Sequence, residues 1–521
     1  MRRGRAAPRL LLAAAALVAA VAGGLLAIAG LDGAGWLDPL LGPLPVPYDR
    51  PPHFQPLLDD AGAPRLDAAT GAPLFAIVPA AARRHGEPGF GRHALTRAKQ
   101  DGTFRILCLG ESTTYGAGYD PTLIPDGPTA SFARFLEERL AAGFDRAVEV
   151  VNCGRNGYDS HDWPTLADEL FAFAPDLLVL YVGHNELKVP NLLGVREAAV
   201  ARIARSRLLL RLLGVPEREF TPPPSCVAEP VLTAAQRRFA LDLFADGVAA
   251  LLAAARAHDV PVVVCLPASN VLDHRPRVSV FGAALATHAA VAREWDDGPL
   301  PDLAAATADP AARAAAVAAL AAVDGALVAA GDAALLHFRR GRICLALGDR
   351  PAAEAAFARA QELDGLPERA APDLVARLRE CAVAGGARTV DVAARFRDAA
   401  ARGVAGFDLF YDYCHPLLHG HWLIADELLQ AIVAAGWIAP AAEFRPEREP
   451  GGAALPDRAR FAAWCERLGL RERAAAVALV AQAKGFANQL GTRPEPPTAA
   501  EQSILAEYLA AAHRMDGAVA D

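Results

Sequence analysis

Short apolar runs alternate with helical patterns along the chain from about residue 101. Five runs of four to seven mostly apolar residues have the length and composition of buried strands. They are Phe104–Leu109, Val148–Asn152, Asp176–Val182, Val260–Leu266 and Thr389–Val392. The spacing of apolar residues in Ser131–Leu140 and Trp163–Phe173 predicts helices between them. Strands that alternate with helices predict an α/β fold with a parallel sheet covered on both faces.

The stretch between the fourth and fifth predicted strands is helical for far longer than one crossover requires. The pattern therefore predicts a helical insertion at about residues 275–385. Within it, Ala334–Asp364 has the residue spacing of one tetratricopeptide helix pair. The residues at that spacing are Gly341, Gly348, Ala353, Phe357 and Ala360. An independent array needs about three repeats, so we expect the pair to dock on helices from 302–330 and 373–383.

The N-terminus predicts a membrane anchor over residues 1–31. Four arginines (Arg2, Arg3, Arg5 and Arg9) precede the uncharged apolar run Leu10–Leu31, and a membrane-spanning helix needs about 20 residues. The positive flank would stay in the cytoplasm and place the remainder outside. A secretory signal has a shorter apolar region of about 7–15 residues before a small-residue cleavage site. Ala20-Val21-Ala22 and Ala27-Ile28-Ala29 could serve as such sites, so a cleaved, secreted form stays open.

Four segments make up the predicted domain organisation. Residues 32–100 are rich in Pro and Gly without a sustained period, which predicts an extended stalk after the anchor; whether part of it packs on the next domain is left open. Residues 101–435 form the α/β domain with its insertion. Residues 436–521, Ala-rich and helical by pattern, form a helical C-terminal region without an assigned role.

Charge and cysteine usage narrow the function classes. The net charge is −8, and no basic patch is interleaved with aromatic residues, so nucleic acid is not a predicted partner. None of the eight cysteines has metal-type spacing. An exported chain with an even number could form disulfides, but spacing does not assign the pairs. Cys108, Cys153 and Cys265 lie in or beside predicted buried strands, where we expect free thiols that act as small hydrophobes.

Four short polar blocks carry the candidate chemistry. They are Gly110-Glu111-Ser112, Asn152–Gly157, Gly183–Glu186 and Asp412–His415. Three of them follow predicted strands, at the sheet edge where α/β proteins bind ligands. Ser112 is a candidate nucleophile, which needs a base and an exposed position. Thr114 stands where an α/β-hydrolase elbow has Gly, so the nucleophile turn is of another type.

The other blocks offer the groups that acyl transfer requires. The backbone N–H of Gly157 and the side-chain amide of Asn185 can donate to an oxyanion. His415 is the candidate base, and Asp412, three residues earlier, can orient its ring. Pro416 is suited to the first position of a helix that starts there. Each residue also has an ordinary structural interpretation as a cap or turn residue, and the case depends on the four blocks together.

A metal site is the alternative that the histidines near the fourth block suggest. His415, His419 and His421 form a histidine cluster. If a helix starts at Pro416, positions 415 and 419 fall on one face and 421 does not. The sequence therefore predicts no metal and no cofactor.

Taken together, the blocks resemble those of the SGNH/GDSL hydrolase superfamily, which are G-D-S, a Gly after the second strand, G-x-N-D and D-x-x-H. The resemblance covers about residues 104–190, 260–270 and 388–430. It implies a flavodoxin-like three-layer α/β sandwich with a parallel sheet. The first block and the N-terminal anchor are similar to bacterial membrane-anchored members that carry helical insertions.

The resemblance also implies a role for each block. Ser112 would be the nucleophile and supply one backbone N–H of the oxyanion hole, which Gly157 and Asn185 complete. His415 would be the base and Asp412 its orienting carboxylate.

Three features depart from the superfamily pattern. Glu111 and Glu186 each replace Asp; both keep the charge and lengthen the side chain, so we expect small adjustments. The third is the helical insertion, which could roof the site or recruit a partner and so leaves the substrate open.

These observations predict a serine esterase or O-acyl hydrolase on the outer side of a bacterial inner membrane. Its substrate would be an ester or O-acylated compound, with cell-envelope glycans as one candidate class. Two alternatives stay open. One is an O-acyltransferase that uses the same triad with a sugar hydroxyl in place of water. The other is a membrane-anchored scaffold that binds a protein partner through the insertion.

Overall fold

The computed structural model of the chain describes residues 54–59, 61–77, 94–116, 131–144, 146–155, 158–160, 163–187, 231–280, 309–406, 408–410 and 412–439. All of them belong to one compact unit. The predicted anchor (1–31), residues 440–521 of the C-terminal region and Gly157 lie outside the described residues. The predicted domain limits stay predictions.

The described strands form two sheets. The strands are β1 (Phe54–Pro56), β2 (Phe75–Ile77), β3 (Phe104–Gly110), β4 (Val148–Gly154), β5 (Leu177–Tyr181), β6 (Val262–Leu266) and β7 (Arg388–Asp391). β1 and β2 pair antiparallel, and the other five form a parallel sheet in the order β4-β3-β5-β6-β7. Counted within that sheet, this is the 2-1-3-4-5 order of flavodoxin-like folds. The predicted fold class is confirmed.

Helices cover both faces of the parallel sheet. They are α1 (Ser112–Tyr115), α2 (Phe132–Gly143), α3 (Trp163–Phe171), α4 (Ala234–Ala257), α5 (Pro310–Ala330), α6 (Ala334–Ala346), α7 (Arg350–Glu362), α8 (Pro372–Gly385), α9 (Val392–Ala399) and α10 (Leu418–Ala434). Alternate residues of β3 point to opposite faces: Ile106 packs with α2, α9 and α10, and Leu107 packs with α3, α4 and α8. Because both faces are covered, the central strands β5 and β6 are apolar and buried along their whole length.

The helical insertion has two parts. α5, α6 and α7 share a core of their own, in which Val323, Phe338 and Phe357 are buried. α8 instead places Leu374 and Leu378 in the core beneath the sheet. The insertion is therefore continuous with the α/β core on the α8 side. Its tetratricopeptide-like character stays a prediction.

One described helix, Pro310–Ala329, is long and apolar enough to cross a membrane. Core helices of soluble proteins pass the same test, so this is a weak indication of a membrane span. The helix lies in the middle of the chain, and its Ala316 and Val323 are buried in the insertion core. It is not the N-terminal span that the sequence predicts.

Part of the predicted stalk packs on the α/β core. The Phe54 ring stacks on Phe173 with 4.1 Å between centroids, and the Phe54 N–H donates to Glu169 at 2.6 Å. Leu95 is buried in the same cluster and pairs with Phe75 through the backbone. An apolar contact therefore anchors the segment that precedes the first strand of the parallel sheet.

Candidate active site

Ser112 lies at the carboxyl edge of the sheet, two residues after the end of β3. It is the first residue of α1, and Glu111 occupies the N-cap position. A Cβ added at Gly154 would lie 2.2 Å from the Tyr115 nitrogen, and one at Gly110 would lie 2.4 Å from the Tyr181 oxygen. Only glycine allows these close approaches. The two glycines thus let the nucleophile turn pack directly on the sheet.

Asn152 fixes α1 to β4. Its Nδ2 donates to the backbone oxygen of Thr114 and to Ser131 Oγ, both at 2.9 Å. Its Oδ1 accepts from the Gly154 N–H, also at 2.9 Å. A buried amide with these partners is a rigid connector. Asn152 belongs to the second polar block, but its role as a connector is not evident from the sequence. The only indication in the sequence is its residue type, an amide side chain near the end of a buried strand.

Three predicted residues meet in one hydrogen-bonded chain. Ser112 Oγ lies 2.7 Å from His415 Nε2, and His415 Nδ1 lies 2.5 Å from Asp412 Oδ2. His415 is 8% exposed and Ser112 is half-buried. The nucleophile and the base come from positions 303 residues apart. Both contacts have the heavy-atom distances that general-base activation of a serine requires.

The Asp412 carboxylate is held by the backbone of its own turn. Its Oδ1 accepts the N–H of Cys414 at 2.9 Å and the N–H of His415 at 2.8 Å, which leaves Oδ2 for the imidazole. Burial opposes ionisation, but His415 and the two backbone N–H groups outweigh it and lower the pKa of Asp412 below its ordinary value. The carboxylate is therefore charged at neutral pH.

The prediction that a helix starts at Pro416 is wrong. α10 starts at Leu418, with Leu417 in the N-cap position. Pro416 pairs instead with Phe410 in an isolated bridge, and the Leu417 N–H donates to the Leu409 oxygen at 2.8 Å. Because Leu417 keeps an extended backbone in this pairing, the helix cannot begin before it. His415 is thus held by strand-like pairing.

Glu111 connects the nucleophile turn to the loop after β5. Its carboxylate accepts the N–H of Gly183 at 2.8 Å and the N–H of His184 at 3.0 Å, and the residue has no solvent exposure. Hydrogen bonds to a buried carboxylate are stronger than those between neutral groups. Asn185, the next residue in that loop, is therefore held next to the turn that carries Ser112.

Glu186 connects the same loop to the loop after β4. Its carboxylate accepts the Ser160 N–H at 2.9 Å and the Ser160 hydroxyl at 2.7 Å. Burial, together with the neighbouring carboxylates of Asp159 and Glu111, raises the pKa of Glu186 well above its ordinary value. The side-chain amide of Asn185 also donates to the backbone oxygen of Tyr158 at 2.9 Å. Asn185 thus lies beside the residue that follows Gly157 in the chain.

The histidine cluster does not converge. Among the described residues, the group that brings three potential metal ligands within 4.8 Å is Asp412, Cys414 and His415. It includes neither His419 nor His421, and His415 lies before α10 rather than on it. Burial lowers the pKa of His419 to about 4 and that of His421 to about 3. Both are neutral at pH 7; His421 is fully buried and His419 is half-buried.

Comparison with known proteins adds the family. Residues 108–340 match the model of the GDSL-like Lipase/Acylhydrolase family. This match supports the assignment of the α/β domain to the SGNH/GDSL hydrolase superfamily. The match supports a hydrolase that acts on esters. It ends before Asp412 and His415, so it does not cover the two residues that form the hydrogen-bonded chain with Ser112.

Two solved structures are similar to this chain over about two thirds of its length. The acetylxylan esterase Axe2 from Geobacillus stearothermophilus is 12% identical, and the alignment covers 66% of this chain and 97% of Axe2 with a TM-score of 0.32. LAE5, an α/β hydrolase enzyme from the metagenome of Lake Arreo in Spain, is 15% identical over 63% of this chain and 94% of LAE5, with a TM-score of 0.29. No curated protein matches the chain.

Proposed function

We propose that this protein is a serine-dependent hydrolase of carboxylic esters, anchored in a membrane with its α/β domain on the extracytoplasmic side. The observation that carries the catalytic proposal is the chain of contacts from Asp412 through His415 to Ser112, with distances of 2.5 and 2.7 Å. The anchor is supported by the arginine-flanked apolar run Leu10–Leu31. Acylated glycans of the cell envelope are the substrate class that this location would offer.

The geometry supports a two-step mechanism. His415 Nε2 accepts the Ser112 proton as Oγ attacks the carbonyl carbon, and Asp412 stabilises the imidazolium that forms. The tetrahedral intermediate collapses when His415 returns the proton to the departing alcohol, which leaves an acyl-serine. Water, deprotonated by His415, then attacks the acyl group, and the proton returns to Ser112 as the acid is released. The Ser112 and Gly157 N–H groups and the Asn185 amide would stabilise both oxyanions.

The test is covalent labelling combined with ester hydrolysis. The full chain, in membranes of the expressing cells, is treated with a fluorophosphonate probe and assayed with short p-nitrophenyl esters. We expect the probe to modify Ser112 in the membrane fraction, and Ser112→Ala to abolish both labelling and nitrophenol release. Labelling without release by the wild-type protein would favour a transferase. A folded wild-type protein that is never labelled would leave the scaffold alternative. Labelling confined to the soluble fraction would contradict the anchor.

Asn185→Ala should lower kcat by about 10²–10³-fold with little change in KM, because an oxyanion donor acts mainly in the transition state. Initial rates over a range of ester concentrations separate the two constants. Gln236→Ala is a suitable control, since it removes a half-buried amide from the capping box of α4. A rise in KM at unchanged kcat would instead place Asn185 in substrate binding.

A further inference from the structure

The helical insertion reaches the active site through the turn after α7. Asp364, which is 4% exposed, accepts the N–H groups of Arg277, Val278 and Leu366 at 2.9–3.1 Å. These bonds tie the turn to the segment that follows β6. Six residues further on, the Ala370 N–H donates to His184 Nδ1 at 3.2 Å. One end of the insertion therefore contacts the loop after β5 at the carboxyl edge of the sheet.

Asn270 connects the segment after β6 to the turn that carries the base. Its backbone N–H donates to the backbone oxygen of Tyr413, and its Nδ2 donates to the backbone oxygen of Asp412, both at 3.0 Å. Its Oδ1 accepts the Asp273 N–H at 3.0 Å, so the amide orientation is determined. Asn270 has no solvent exposure. Two consecutive carbonyl groups of the Asp412–His415 turn are thus held by one buried residue.

Arg369 holds Asn270 from the other side. Its Nη1 donates to the backbone oxygen of Asn270, and Arg369 is only 4% exposed. Burial lowers the pKa of Arg369 to about 10, against the opposing effect of Asp364 and Glu368. The guanidinium is therefore still charged at neutral pH. A charge-assisted bond inside the protein is stronger than one between neutral groups.

We propose that Asn270 and Arg369 are positioning residues for the triad: Asn270 holds the Asp412–His415 turn at the correct distance from Ser112, and Arg369 fixes Asn270 from the helical insertion. This inference rests on the proposed function. It assigns the insertion a part in catalysis in addition to any part in substrate or partner binding.

The physical reason lies in how Ser112 and His415 are connected. The bonds from Asp412 to the backbone of Cys414 and His415 determine the shape of the turn, but they do not relate the turn to the nucleophile. Ser112 follows β3, and Asn270 follows β6 of the same sheet. The hydrogen bonds from Asn270 therefore fix the position of the turn relative to the sheet that carries Ser112. A displacement of about 1 Å in such a site can cost about 100-fold in rate.

Three variants of the full chain test the proposal. Arg369→Met keeps the aliphatic stem and removes the donor, whereas Arg369→Lys keeps a charge and a donor. Asn270→Asp keeps the shape and the Oδ1 acceptor but places an oxygen against the Asp412 carbonyl. Arg379→Met is the matched control, because Arg379 is 52% exposed on α8 and pairs with Asp391 at the surface. For each, kcat is expressed per site that the fluorophosphonate probe titrates, so misfolded protein does not count.

We expect Arg369→Met and Asn270→Asp to lower kcat per titrated site by about 10–100-fold with KM within about twofold, and to slow the labelling of Ser112 to a similar extent. Arg369→Lys should recover a large part of the loss, and Arg379→Met should behave as the wild-type protein. The inference fails if kcat per titrated site stays within twofold in Arg369→Met and Asn270→Asp, or if the loss appears only as a smaller titrated fraction. Failure of the proposed function would look different, since the wild-type protein itself would then show no Ser112-dependent labelling.

Discussion

Replacement of His415 by alanine is expected to lower kcat for ester hydrolysis by about 10⁴–10⁶-fold in a protein that still folds. His415 Nε2 lies 2.7 Å from Ser112 Oγ, and without it no base accepts the serine proton. A neutral serine hydroxyl is a poor nucleophile at pH 7. The residual rate would come from the oxyanion donors alone.

The same variant should keep its fold because Asp412 retains partners. Its Oδ1 still accepts hydrogen bonds from two backbone N–H groups, so the loss of the imidazole does not leave the carboxylate without hydrogen-bond donors. Thermal unfolding of the variant checks this point. His337→Ala is the matched control, since His337 pairs with Asp332 in the insertion. Activity of His415→Ala within tenfold of the wild-type value would remove His415 from the mechanism.

Asp412→Asn is expected to lower kcat by about 10⁴-fold, through the tautomer of His415. The amide oxygen would take the Oδ1 position, where it accepts the N–H groups of Cys414 and His415. The amide NH₂ would then occupy the Oδ2 position and donate to His415 Nδ1. Nε2 would consequently carry the proton and could no longer accept one from Ser112.

The measurement is the pre-steady-state rate of acylation by a p-nitrophenyl ester, together with the rate of probe labelling. Asp349→Asn is a suitable control, because Asp349 caps α7 through the Ala352 N–H and Asn caps a helix equally well. We expect its rates to equal those of the wild-type protein. If Asp412→Asn retained most of its acylation rate, Asp412 would not orient His415 for catalysis, and the 2.5 Å contact would be structural only.

The two glutamates that stand in place of Asp, Glu111 and Glu186, connect loops in a way that the sequence did not reveal. That their extra length causes only a small adjustment of the site stays a prediction. The structure shows that the Glu111 carboxylate spans from the nucleophile turn to two N–H groups after β5, and that Glu186 spans from that loop to Ser160. Both are buried. The charge was visible in the sequence, but the donors that it satisfies were not, because they belong to other loops.

The sequence by itself determined the layout of the α/β core. Apolar runs such as Phe104–Leu109 can be buried on both faces, and only a parallel sheet with helices on each side buries them so. The chain order of the strands then brought the blocks after β3, β4 and β5 to one edge. For this reason the sequence predicts Ser112 and Asn185 at the same edge of the sheet, and the spacing of three residues predicts the Asp412–His415 pair.

Only the tertiary structure decided how that pair meets the nucleophile. Backbone pairing of Pro416 with Phe410 overrode the preference of proline for the first turn of a helix and moved the start of α10 to Leu418. The bonds from Arg369 to Asn270 and from Asn270 to Asp412 join positions 99 and 142 residues apart. Local propensity and spacing act over a few residues, so they contain no information on such contacts. Those depend on which segments the packed core brings together.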